Sequence, residues 1–197
     1  MVINDNCAAV KVLKMHPVGS DRYSIDNNGL YFNDMLLNED ILEQFINTLI
    51  HEIALENMMS FIEFNQFMSY VNTTFNIESN YKSAILAKEV PQSEIVFADE
   101  TSNMFKKYKE YNNNIDLSDD NTLLKLKVYE LYSKYIANGA EYQINISHDQ
   151  CKEFDKYCQD IDTLLQLNLS PQELHALFIS PTKEIRGLLK NTFARFS

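Results

Sequence analysis

A chain of 197 residues with 45% hydrophobic content is long enough to bury a full core, as one domain or as two closely packed subdomains. Its formal charge of −11 argues against a nucleic-acid partner and against docking on anionic lipid by bulk charge, because both depend on an excess of Lys and Arg. Four glycines and four prolines exclude collagen-like and long linker architectures.

The opening residues, from Met1 to Cys7, lack the basic and apolar regions of a secretory leader, and no window approaches the roughly 18 apolar residues that span a bilayer. Three cysteines, Cys7, Cys151 and Cys158, form a sparse and odd set that fits reduced thiols in a cytoplasmic protein. Cys151 and Cys158 fall on one helical face about 10 Å apart, too far to bridge. The Asn-x-Ser/Thr sequons at Asn72, Asn145 and Asn168 are then expected to stay unmodified.

Residues 1–33 carry few structural signals. Ala9 to Met15 fits either a short strand or a helical turn, and Asn28-Gly29 is a turn signal. From Asn38 onward the pattern is helical. Asn38 can cap a helix, Glu39 and Asp40 place negative charge at its positive end, and Ile41, Phe45, Leu49 and Ile53 recur every fourth residue. Leu42, Ile46 and Ile50 widen that stripe. After a polar corner at Glu56 and Asn57, Met58 to about Thr74 reads as a second helix, apolar on more than one face and therefore central.

Residues from about 75 to 121 break the pattern and look like an insertion. Tyr81 to Val90 and Ser93 to Tyr111 can each hold a helix, and the polar run from Tyr111 to Asn121 is expected not to pack. Helical order returns at Thr122, with Leu124, Val128, Leu131, Tyr132 and Tyr135 on one face and Gly139 as a C-cap. Ser147 to Gln150 has the composition of a capping box for a helix with the stripe Cys151, Phe154, Cys158, Ile161 and Leu165. Ser170 to Glu173 forms another, with Pro171 at the first helical position, and a last helix carries Ile185, Leu188 and Leu189. The expected fold class is all-α.

Signatures of chemistry are sparse. Gly19, Gly29, Gly139 and Gly187 are too scattered for a phosphate-cradling loop. His51-Glu52 matches the first two positions of a zincin helix, but Leu55 stands where the second histidine belongs, so no metal and no cofactor is expected. His16, His148 and His175 are far apart and are taken as surface or capping residues. Glu52 and Glu56, four apart, can share a helical face; acids at a helix end are usually solvated, and Asn57 equally fits a cap for the following helix. Asn145, between Ile144 and Ile146, can point outward on its own, although loop asparagines are commonly turn formers.

These segments, taken in order, resemble the RGS family, whose domains bind Gα subunits and speed their GTP hydrolysis. The stretch from Leu36 to Asn57 has that family's leucine pair, amphipathic helix ending in Glu52, and Glu56-Asn57 corner. Phe61 to Phe67 matches the helix that follows, and Leu126 to Ile136 the helix before the second contact loop. Tyr142 to Ile146 has that loop's apolar-Asn-apolar core, and Leu188 to Phe196 is similar to the closing segment. The likeness covers residues 34–74 and 122–197, about three-fifths of the chain.

The resemblance implies an RGS-like helical bundle over residues 34–197, with a terminal subdomain formed by the first and last helices and an insertion at about 75–121. It implies a GTPase-activating protein with no catalytic residue of its own, which holds the Gα switch segments in the transition-state conformation and so terminates signalling. Glu52, Glu56 and Asn57 would supply the first contact loop, Asn145 the second, and Leu188, Asn191 and Arg195 the last segment. The expected partner is the GTP-bound or transition-state Gα subunit, with recruitment through it to the inner face of the plasma membrane and no direct insertion. Several departures stand out: Asn191 replaces the usual Asp, with one residue missing just before it, Phe61 replaces the usual Trp, and the insertion is not typical. They leave open an RGS-homology scaffold without GTPase-activating function.

Overall fold

The computed structural model describes residues 32–36, 38–51, 54–77 and 119–196, and all regular structure among them is α-helical. The readings made for residues 1–31, for Glu52 and Ile53, and for residues 78–118 lie outside the described residues. The helices, in chain order, are α1 (Phe32–Met35), α2 (Glu39–His51), α3 (Leu55–Thr74), α4 (Asp120–Tyr135), α5 (His148–Cys158), α6 (Ile161–Gln166) and α7 (Pro171–Phe193).

Capping side chains set most of the helix starts. The Ile41 N–H donates to Asn38 Oδ1 at 3.2 Å, so the expected cap of α2 is formed. On α2, Leu42, Phe45 and Leu49 are fully buried and Ile41 and Ile46 half-buried. Ile50 does not join that stripe: it is 41% exposed, because successive turns at 3.6 residues carry it around the helix toward solvent. Asp119 starts α4 by accepting from the Thr122 N–H at 2.9 Å, so the helix begins before Thr122 and takes in the end of the polar run.

The 20-residue α3 is the central helix. It buries Phe61, Phe64, Phe67, Met68 and Val71 around most of its circumference, and the buried Asn65 is paired within the helix, its Nδ2 donating to the Phe61 carbonyl at 2.7 Å. Along it lies α7, whose Phe178 meets Phe64, Phe67 and Phe154 at centroid distances of 4.8, 4.9 and 5.1 Å. A second aromatic group closes the other end of α7. Phe193 packs edge-on against Phe32 at 5.6 Å and Phe45 at 5.5 Å, and Phe32 in turn meets Phe61 at 6.3 Å. Going from Phe178 to Phe193 on α7 therefore means going from Phe67 back past Phe61 on α3, and the two helices run antiparallel.

Four sequence expectations change here. The stripe from Cys151 to Leu165 is not one helix: Asp160 stops α5 and caps α6, accepting from the Thr163 N–H at 2.7 Å and the Thr163 hydroxyl at 2.6 Å. The segment after Ser170 is not two helices but one of 23 residues that runs through Pro181. The missing Pro181 N–H costs one rung of the ladder; beside it the Thr182 hydroxyl donates to the Phe178 carbonyl at 2.6 Å. Gly139 adopts φ +78°, but the helix is already capped at Ile136, so the glycine serves the loop beyond. His175 is not a surface residue; it is 2% exposed in the face that α7 turns inward.

Lys125 also turns inward, at 7% exposure. Its ammonium donates to the carbonyls of Leu165 at 3.1 Å and Leu167 at 2.7 Å, capping the C-terminal end of α6. Asn121 Nδ2 adds a bond to the Leu169 carbonyl at 3.2 Å, so the start of α4 clamps the whole α6–α7 connection.

A candidate interaction face at one end of the bundle

The chain enters α3 through a tight corner. The Ala54 N–H donates to the Leu49 carbonyl at 2.9 Å, and Ala54 is the N-cap residue, with no side-chain capping bond. Glu56 and Asn57 thus lie inside the first turn of α3, rather than between two helices, and Asn57 is not its cap. Glu56 sits favourably at the positive helix end. Both residues are half-buried, with Asn57 Nδ2 directed at Glu56 Oε1 at 3.5 Å and the Asn57 carbonyl accepting from the Ser60 hydroxyl at 3.1 Å. Asn57 Oδ1 is buried with no hydrogen-bond partner among the described residues. An unmet acceptor of this kind costs on the order of 1–3 kcal/mol.

The second element is the loop after α4. It doubles back, the Tyr142 N–H donating to the Lys134 carbonyl at 3.1 Å and the Ile144 N–H to the Tyr135 carbonyl at 2.9 Å, which satisfies two carbonyls that the end of a helix leaves open. Extended backbone alternates sides, so Ile144 and Ile146 are buried at 5% and 8% exposure while Asn145 between them faces solvent. The helix end from which this loop hangs is fastened to α3. Lys134 Nζ and the Tyr135 hydroxyl both donate to Glu63 Oε1, at 2.6 and 2.8 Å. Burial, reinforced by the Glu63 charge, holds the Tyr135 phenol well above its ordinary pKa, so it stays a donor.

The third element is the C-terminal half of α7. Glu184, Leu188 and Asn191 fall at the spacing of one helical stripe. Leu188 is 36% exposed and Asn191 is exposed. Arg195 lies beyond the end of the helix, exposed, its guanidinium donating to the Thr192 hydroxyl at 3.4 Å. Glu184 reaches the loop directly: its Oε2 accepts from the Ser147 N–H at 3.4 Å and from Gln150 Nε2 at 2.6 Å. The expected Ser147–Gln150 capping box is consequently absent, because Gln150 points at Glu184 instead of back at Ser147.

Antiparallel packing places the stretch from Leu188 to Asn191 toward the start of α3, and the Glu63 and Glu184 ties bring the Asn145 loop to the same end. Glu56, Asn57, Asn145, Leu188 and Asn191 are thus carried by three segments that converge at one end of the bundle. Arg195 lies just past them, and Glu52 falls outside the described residues. Ile50 and Leu188, the large apolar residues exposed among the described ones, also lie on helices that meet here. Sequence reasoning missed Ile50, read as core, and Glu184, which carries no motif.

Little else invites chemistry. Among the described residues no group of three or more His, Cys, Asp or Glu is placed to hold a metal ion, and no helix is long and apolar enough to cross a membrane. Cys151 and Cys158 are free thiols, and burial, with Asp155 adding to it, pushes Cys158 up to about 12, which leaves it protonated and inert. A groove of about 230 Å³ between α5 and α7, lined by Glu153, Tyr157 and Leu177 among others, is smaller than the ~300–1,000 Å³ usual for small-molecule sites. Comparison of the chain with protein-family models, with curated proteins and with solved structures finds no match.

Proposed function

We propose that this chain is an RGS-like domain whose converging end binds a Gα subunit and accelerates its GTP hydrolysis. The observation that carries the reading is the convergence itself. Three segments far apart in sequence, each of which resembles an RGS contact segment, present exposed or half-buried polar side chains at one end of an all-α bundle. The packing of Phe32 and Phe45 on Phe193 is also what a terminal subdomain of first and last helices would require.

In this reading the domain supplies no reacting group. Gα carries its arginine in cis, so a partner needs only to hold the switch segments and the water-orienting Gln in place. Asn145, exposed on a strap anchored at both ends, is the side chain suited to reach that Gln, and the half-buried Glu56–Asn57 turn at the start of α3 supplies the first contact segment. A hundredfold acceleration asks for about 2.7 kcal/mol of differential binding, within the reach of a few hydrogen bonds to a preorganised surface.

Single-turnover GTP hydrolysis by a panel of purified Gα subunits, with and without this domain, tests the proposal. Acceleration of at least one member is expected, reduced at least about tenfold by Asn57→Ala and by Asn145→Ala. Both variants should keep the wild-type circular dichroism. No acceleration across a panel including Gα from the same organism would transfer the reading to a scaffold without GTPase-activating function. The neutral Asn191, in place of an acid that would accept switch-segment hydrogen bonds, favours that second reading.

A further inference from the structure

The start of α5 holds a local conflict. Ser147 and Gln150 have the spacing of a capping box, in which the Gln side chain would accept the Ser N–H through its oxygen. Instead, Glu184 Oε2 accepts that N–H at 3.4 Å and the Gln150 Nε2 at 2.6 Å. The displaced Gln150 Oε1 is buried with no partner among the described residues. Gln150 cannot be turned over to relieve this, since its oxygen would then face the Glu184 carboxylate. A charge-assisted bond is about twice as strong as a neutral one, which is why the distant acid prevails over the local box.

We propose that Glu184 is a positioning residue for this face: by taking the Ser147 amide and Gln150 it fixes where Asn145 stands relative to Leu188 and Asn191. Asn145 is two residues before Ser147, and Leu188 is one turn beyond Glu184 on the same stripe, so a single carboxylate ties two of the three converging segments together. Removing it does not leave the backbone without a solution. The box written into Ser147 and Gln150 closes, α5 remains helical, and the strap loses its registration against α7. Glu63 fastens the other end of the same strap through Lys134 and Tyr135, so the loop then pivots about that anchor rather than unfolding. The assignment of Glu184 stands on this geometry, and only its consequence for a partner rests on the function proposed above.

The test pairs two readouts on the full chain. In 15N-correlated NMR spectra, Glu184→Ala is expected to move the amide resonances of Asn145, Ile146 and Ser147 while helix content stays constant. Glu184→Gln, which keeps an acceptor oxygen in the same place, should restore most of the wild-type positions. Gln150→Glu is the independent variant: it sets a second carboxylate against Glu184, favours the local box, and should reproduce the Glu184→Ala shifts without any change on α7. In the hydrolysis assay, Glu184→Ala should lower the acceleration of a responding Gα about tenfold, with recovery in Glu184→Gln. Unmoved Asn145–Ser147 resonances in Glu184→Ala and Gln150→Glu would overturn the proposal. So would equal losses of activity and thermal stability in Glu184→Ala and Glu184→Gln, the mark of a merely structural role. If the wild-type chain accelerates no Gα, the spectra still decide what Glu184 does, and only the reading of the partner falls.

Discussion

Replacing Lys125 by Met sets two large effects against each other. The Lys125 ammonium, on a residue 7% exposed, makes two bonds to the carbonyls of Leu165 and Leu167. Hydrogen bonds to charged groups contribute roughly 1.5–3 kcal/mol each. Against them stands the cost of holding an ammonium out of water, several kcal/mol in real interiors, which Met does not incur. The carbonyls decide the balance. They terminate α6, a helix of six residues with no independent stability, and in Lys125→Met they keep their partial negative charge with nothing opposite. We expect a net loss of about 2 kcal/mol, bounded above by local fraying of α6 that lets water reach the freed carbonyls. Urea unfolding followed by circular dichroism would read this as a lower midpoint at unchanged slope, with the melting temperature falling about 4–8 °C. A loss under about 0.5 kcal/mol, or a gain, would show that ammonium desolvation cancels the two bonds, and the argument for Lys125 as the clamp of the α6–α7 connection would fail.

Phe178→Ala removes the ring shared by Phe64, Phe67 and Phe154 and should cost about 3–5 kcal/mol, measured by denaturant unfolding; a loss below about 2 kcal/mol would mean that the surrounding rings collapse into the space. Tyr135→Phe deletes one bond to a Glu63 that keeps Lys134, and should lower stability by about 1.5 kcal/mol while leaving helix content alone; no loss would mean that water replaces the hydroxyl. Burial holds the His175 imidazole below its usual pKa. The unfolded chain therefore takes up a proton near pH 6.5 that the folded chain refuses, and the stability present above about pH 6.5 declines as pH falls below it. Urea midpoints at pH 7.5 and 5.0 should differ in the wild type and differ less in His175→Leu; an equal difference in both would place the titration elsewhere. The depressed carboxyls of Asp119, Asp160 and Glu173, each held by hydrogen bonds from the Thr or Ser three residues away, act in a separate and lower window, their contribution being lost as pH falls below the ordinary carboxylate range.

Local chemistry was the legible part of this fold. The caps at Asn38 and at Ser170–Glu173 form as their side chains dictate, and the central place of α3 follows from apolar residues on most of its faces. Misreadings arose where a distant partner overrode a local preference. Glu184 breaks up the box at Ser147, and packing on α3 carries α7 through Pro181 as one helix. The division of α5 from α6 was visible in principle, since Asp160 and Thr163 have the spacing of a cap, but the unbroken apolar stripe masked it. The candidate site divides in the same way. That Asn145 faces outward follows from its two isoleucine neighbours, whereas the fastening of its strap to Glu184 depends on Gln150, 34 residues away from that acid in the chain.

Pro181 has a mechanical consequence. The rung it deletes lies between the part of α7 that carries Phe178 and the part that carries Glu184, Leu188 and Asn191. Helices bend where a proline removes a rung, so a tilt of the outer part of α7 would fall between Phe178 and Glu184. The inner part, wedged among Phe64, Phe67 and Phe154, would keep its place.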